Sequence, residues 1–265
     1  MLAQMGEAAS PIYRYGYYPH NVHFMLVSAQ MAGMGEDAVA AADKLGQVTS
    51  DEVAAQLGWV QAIKSAPYTA HAQFSPPDAI LALTNPGDRF PFVRGFWHYA
   101  RGVALARQGH GSRARAEAKA IRRLIGTADM SGLEAQYVPA KDVLRIAEHV
   151  IEARIAQAQG NHAQAERRLR EAAALQDAIP YMEPPYWYYP VRQTLGAVLL
   201  QQGRAKEAVA TFRQALKEQP RNGWALWGLA QALRAAGDLD GVREAEAAFD
   251  QAWAGDRALL KLDSL

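Results

Sequence analysis

The sequence has no cysteine, which excludes disulfides, thiolate chemistry and cysteine-ligated zinc. It has almost no net charge. A formal +1 gives no cationic surplus for a nucleic-acid binder held by phosphate contacts. No apolar run approaches the ~18 residues of a membrane span, and Met1–Ser10 lacks the apolar centre of a signal peptide. The expectation is therefore a soluble protein, most simply cytoplasmic, with no membrane or nucleic-acid partner. Period-two runs rich in Val, Ile and Thr are also missing, so no segment competes as a strand.

Half of the 265 residues are apolar and alanine is abundant, which suits closely packed helices. Gly196, Leu199, Gly203, Ala208, Phe212, Ala215 and Pro220 have the spacing of one helix–turn–helix unit. In such a unit small residues at 196 and 208 let backbones approach, Gly203 ends the first helix and Pro220 stops the second. This spacing resembles a tetratricopeptide (TPR) repeat. Equivalent punctuation recurs around Gly237, Gly160, Gly109 and Gly33, and residues 51–84 read as a degenerate further hairpin.

A single hairpin cannot bury its apolar face, so the copies must stack. The predicted fold is all-α: one right-handed TPR-like solenoid of about six helical hairpins, near 20–47, 51–84, 91–126, 139–176, 185–219 and 222–254. A 1–19 extension and a 255–265 tail flank them. Leu259-Leu260-Lys261-Leu262 in the tail suits a capping helix or a contact with another chain. Exposed first and last hairpins would permit an end-to-end homodimer.

Two segments carry chemistry. In Tyr17-Tyr18-Pro19-His20-Asn21-Val22-His23-Phe24, Pro19 and Asn21 suit a helix start. His20, Asn21 and His23 then stand at one helix end. They could cap it beneath the tyrosines, line a ligand site, or supply two ligands to a divalent metal. A metal needs further ligands that the spacing does not provide. In Tyr181–Arg192, Glu183, Tyr186, Trp187 and Arg192 belong to a dense set of aromatic, acidic and basic groups. These rings either recognise a ligand or plug a gap where the 179–190 connector folds back over the stack.

Other polar residues read as structural. His98 and His149 share one repeat position between the two helices of a hairpin, and His110 and His162 fall in solvent-facing turns. Arg113, Arg115, Lys119, Arg122 and Arg123 read as a solvated helix face. Glu152 stands where a TPR unit has leucine, so burial would require a cation, with Arg154 or Arg192 as candidates.

The Tyr17–Phe24, His98–Gly102 and Glu183–Arg192 segments together resemble a group of bacterial TPR proteins of unsettled activity. In that group further repeats precede the Tyr-Tyr-Pro-His-Asn motif, so this chain is expected to be a fragment or to have lost part of the motif's site. Two functional expectations follow. One is a scaffold whose concave surface holds a peptide or protein partner. The other is a small-molecule or metal site, with or without catalysis, lined by the two motifs. No catalytic triad, phosphate loop, dinucleotide fingerprint or complete metal set is present, so neither an enzymatic activity nor a cofactor is assigned.

Overall fold

The computed structural model describes residues 13–265, so positions 1–12 of the expected extension lie outside it. A π-helical turn at Tyr13–Tyr17 leads into α1 (Tyr18–Ala32), which pairs with α2 (Gly35–Val48). A short α3 (Asp51–Gln56) precedes α4 (Gly58–Phe74), whose partner α5 (Pro77–Leu81) is little more than one turn. Regular hairpins resume with α6 (Pro91–Arg107) and α7 (Gly111–Thr127). After the short α8 (Ser131–Glu134) come α9 (Ala140–Ala158) with α10 (His162–Ala178) and α11 (Val191–Gln201) with α12 (Ala205–Glu218). The last pair is α13 (Gly223–Ala236) with α14 (Leu239–Ala252). Among the described residues there is no strand.

The glycine punctuation works through backbone geometry. Gly33, Gly109, Gly160, Gly203 and Gly237 all have φ between 70° and 81°, a region in which a Cβ is strained. In each turn the next amide donates back to a carbonyl five residues earlier, as in His110 to Leu105 at 2.9 Å and Arg204 to Leu199 at 3.0 Å. That bond satisfies a carbonyl the helix end leaves free and starts the reversal. Within the stack, Phe212 lies against both Gly196 of α11 and Gly228 of α13. The glycines leave room for the ring, so three helices close around one buried side chain.

Two charged features differ from the sequence expectation. Glu148 and Glu152 are buried on α9, but their partners come from α7: Arg122 Nε donates to Glu148 at 2.8 Å, and Arg115 Nε lies 3.8 Å from Glu152. The basic α7 face is solvated as expected, with Arg113, Lys119, Arg122 and Arg123 exposed, but two of its arginines, Arg115 and Arg122, also reach the next hairpin. Arg154 and Arg192 have other partners. His162 is half-buried, not solvent-facing. His98 and His149 do pair within their own hairpins, with Glu117 at 2.6 Å and Glu171 at 3.2 Å.

The solenoid returns on itself. Trp224 at the start of α13 donates its indole N–H to the Gln30 carbonyl of α1 at 2.7 Å. The amides of Ala254 and Gly255 both donate to Ala32, at 3.0 and 3.1 Å. Trp253 packs edge-on against Trp224 and covers Gly33 so closely that a side chain there would overlap its ring. The first and last hairpins, expected to be exposed, instead pack against each other.

The tail also departs from expectation. It forms two 3-10 turns, Arg257–Leu259 and Leu262–Ser264, and runs inward to a fully buried Leu265.

Candidate functional site

The interior of the ring is faced by first helices. Tyr99 and Arg107 of α6, Arg154 of α9, Gln193 of α11 and Ala72 of α4 surround what remains of the concave channel, a space of about 20 Å³. The chain itself fills the rest. The connector after α10 folds back inside, burying Trp187, Tyr188 and Tyr189. Trp187 packs on Phe96 and Tyr99 with ring centroids 6.2 and 5.2 Å apart, and the Tyr99 and Tyr188 hydroxyls share a hydrogen bond of 2.9 Å. Burial among other tyrosines raises the pKa of both phenols, which therefore stay neutral. The concave surface expected to hold a partner is occupied by these rings and by the tail.

The fold-back brings the two sequence motifs together. His23 shares a cavity of about 10 Å³ with Pro185, Tyr186 and Tyr188, the volume of a single water. His23 is buried, and its Nδ1 has no hydrogen-bond partner. Burial, with a smaller contribution from the charge of His20, lowers its pKa to about 3, so the ring is neutral near pH 7.

The neighbouring residues are placed differently. The His20 ring stacks edge-on against Phe24 at 4.8 Å, and Asn21 is exposed and makes no cap. Among the described residues, no group of three or more His, Cys, Asp or Glu side chains is arranged to hold a metal.

Outside that cavity the connector and α1 form the walls of an open groove of about 670 Å³. Phe24, Val27 and Met31 line one side, at a spacing that puts them on one helical face. Tyr181, Met182, Glu183, Tyr186 and an edge of Trp187 line the other, and Lys217–Gln219 at the end of α12 closes one end. Tyr181 is 84% exposed, and Phe24 is also exposed at the rim.

Glu183 accepts from the Tyr181 hydroxyl and otherwise faces solvent. Arg192 is not available to a ligand carboxylate: its two terminal nitrogens fork onto Asp177 at 2.5 and 2.6 Å, with Glu218 at 3.6 Å. Glu218 has a raised pKa, mainly from burial. The sequence reading missed Phe24, Val27 and Met31 as groove residues. Their i, i+3, i+7 spacing on the motif helix was the available signal.

Tetratricopeptide-repeat family models match residues 199–258 and 149–171. With its paired helices and glycine turns, the chain is a TPR-like solenoid. Comparison with curated proteins finds no match. TPR repeats point to a scaffold for protein partners. No helix of this solenoid, among the described residues, is long and apolar enough to cross a membrane.

Proposed function

We propose that this TPR-like solenoid is a binding scaffold that takes a partner's peptide segment in the groove between α1 and the 179–190 connector. The observation that carries this reading is the placement of apolar surface. The concave channel is filled from within, while Phe24, Met31, Tyr181 and Tyr186 line an open groove large enough for several side chains. Aromatic residues at a partly wet rim provide large contact area with polar tips, a pattern enriched at protein interfaces.

The rim chemistry selects the partner. Arg192 is held by Asp177 and Glu218, so Glu183 has no basic partner among the described residues and Lys217 is the cation left in the groove. A segment with one or two large apolar side chains beside a Lys or Arg fits this inventory.

A random peptide display library tests the reading. Enriched peptides should combine aromatic or aliphatic residues with a basic one, and Tyr186→Ala and Phe24→Asp should each weaken their binding at least tenfold. No enrichment, or unchanged binding to both variants, would overturn it.

A second reading is favoured by the unpartnered Nδ1 of His23 beside Tyr186. Here a small ligand or a divalent metal enters where Tyr186 now separates the groove from the His23 cavity. Elemental analysis of purified protein and of a His20→Ala/His23→Ala variant separates the two. Near-stoichiometric metal lost in the variant supports this second reading, and a metal-free wild type removes its metal form.

A further inference from the structure

Closing the ring builds a second groove that no single hairpin contains. Its walls are α2, the 74–76 corner that ends α4, and the 254–259 segment that follows α14, and its volume is about 750 Å³. Backbone contact fixes the third wall in place. The Ala254 and Gly255 amides both donate to Ala32, and an added Cβ at Gly255 would stand 1.8 Å from the Gly33 carbonyl oxygen. The Phe74 ring sits as closely on Gly35, where a Cβ would stand 2.9 Å from it. The groove is therefore preformed, and a ligand does not bear the cost of assembling it.

Its lining divides into two chemistries. Met34, Val39, Phe74 and Leu259 contribute half-buried apolar surface, and Glu36, Asp37, Asp43 and Asp256 stand exposed around them. No Lys or Arg lines the groove, and among the described residues none of these four carboxylates makes an ion pair with one. His71 Nε2 lies 3.9 Å from Asp43, but burial lowers its pKa, so the ring is neutral near pH 7. Elsewhere surface acids are paired: Asp51 holds Lys64, Asp177 holds Arg192 and Glu207 holds Arg204. The pull of a helix N-terminus accounts for Glu36 and Asp37 in the first turn of α2. It does not account for Asp43 further along that helix, or for Asp256 on another wall. A cleft lined by one sign of charge beside apolar surface concentrates the opposite charge.

We propose that this seam groove docks a basic segment of a partner protein, in which Lys or Arg side chains alternate with large aliphatic ones. The aliphatic side chains cover Met34, Val39, Phe74 and Leu259, and the cations answer the four carboxylates. Charge complementarity selects this occupant over an acidic or neutral one. The apolar lining selects it over a polyamine, which brings charge without surface to bury. The seam groove goes beyond the outer groove, with which it shares no lining residue.

The probe is a fluorescein-labelled synthetic peptide, Gly-Leu-Lys-Arg-Leu-Lys-Gly with blocked ends, titrated with the full chain. Wild type should bind it, and added salt should weaken the binding. Glu36→Gln/Asp37→Asn/Asp43→Asn should lose at least tenfold in affinity. Val39→Asp separates a groove from a charged surface. It adds a negative charge, so attraction by charge alone would strengthen binding, whereas damage to an apolar lining should weaken it at least fivefold. A peptide with serine in place of leucine should bind wild type at least tenfold less tightly. Tyr186→Ala, in the outer groove, should change nothing, which keeps failure here distinct from failure of the outer-groove reading. Circular dichroism checks that each variant is folded, and the three neutralised side chains are exposed, so the triple variant stands as a test by itself. No binding by wild type, unchanged binding in the triple variant, or tighter binding by Val39→Asp would overturn the proposal. So would equal binding of the serine peptide, or a loss in Tyr186→Ala.

Discussion

Trp224 and Gln30 are joined by a 2.7 Å hydrogen bond from indole to main chain, although 194 positions separate them in sequence. This bond is the centre of the seam that closes the solenoid, and it makes an otherwise local architecture depend on a distant pairing. Gly33 tests the seam. An added methyl there meets two obstacles, a left-handed backbone and the Trp253 ring. Gly109 has the same φ of 75° with open space around it. Gly109→Ala should cost ~1–2 kcal/mol from backbone strain alone. Gly33→Ala should cost clearly more, and urea unfolding of the two variants measures the difference.

His23 should give stability a distinct acid dependence. Its folded pKa, about 3, lies below the ordinary 6.5, so protons bind preferentially to the unfolded chain between these values. The stabilising contribution is complete above pH 6.5 and is lost as pH falls toward 3. At pH 5 the loss is about 2 kcal/mol relative to pH 8. His23→Phe should flatten that slope, and comparing urea midpoints of the two proteins from pH 5 to pH 8 checks it.

Tyr99 and Tyr188 satisfy each other inside the channel. Removing either hydroxyl strands the other, so Tyr99→Phe and Tyr188→Phe should each cost ~1–2 kcal/mol. The double variant should cost less than the sum of the two, because neither unpaired oxygen then remains. A double-mutant cycle showing full additivity would contradict the pairing.

Glu148 is buried, whereas Arg122, its partner from the preceding hairpin, is largely exposed. Arg122→Ala should destabilise by about 1–2 kcal/mol, less than a fully buried pair because water reaches the guanidinium. Glu148→Leu/Arg122→Leu should recover most of that loss, as thermal unfolding of the single and double variants would show.

The all-helical TPR-like fold was legible because glycine, alanine and one aromatic residue fix each turn and seam locally. Gly196, Gly203 and Phe212 carry that information within twenty residues of each other. The length and aromatic content of the connector likewise indicated a segment able to fold back. Closure was not legible, because no residue near Gln30 specifies Trp224. The seam exists only once the small rotations of all the hairpins have accumulated. The partner of Glu152 was misread for a related reason: Arg115 is remote in sequence and arrives through stacking, whereas Arg154 is near in sequence and turns to the channel. The tail's inward path follows from closure, since it needs a channel to enter.

The seam also changes how the chain must fold. In an open repeat array each hairpin docks on its neighbour as it is synthesised, and the terminal units fray independently. Here α1 lacks one of its neighbours until α13 has been made. The chain must therefore emerge through α13 before the first hairpin reaches its final stability. Refolding should show a late step that joins residues 30 and 224, slow because the loop it closes spans 194 positions. Once that step is complete, neither the first nor the last of these hairpins keeps a free face from which unzipping can begin.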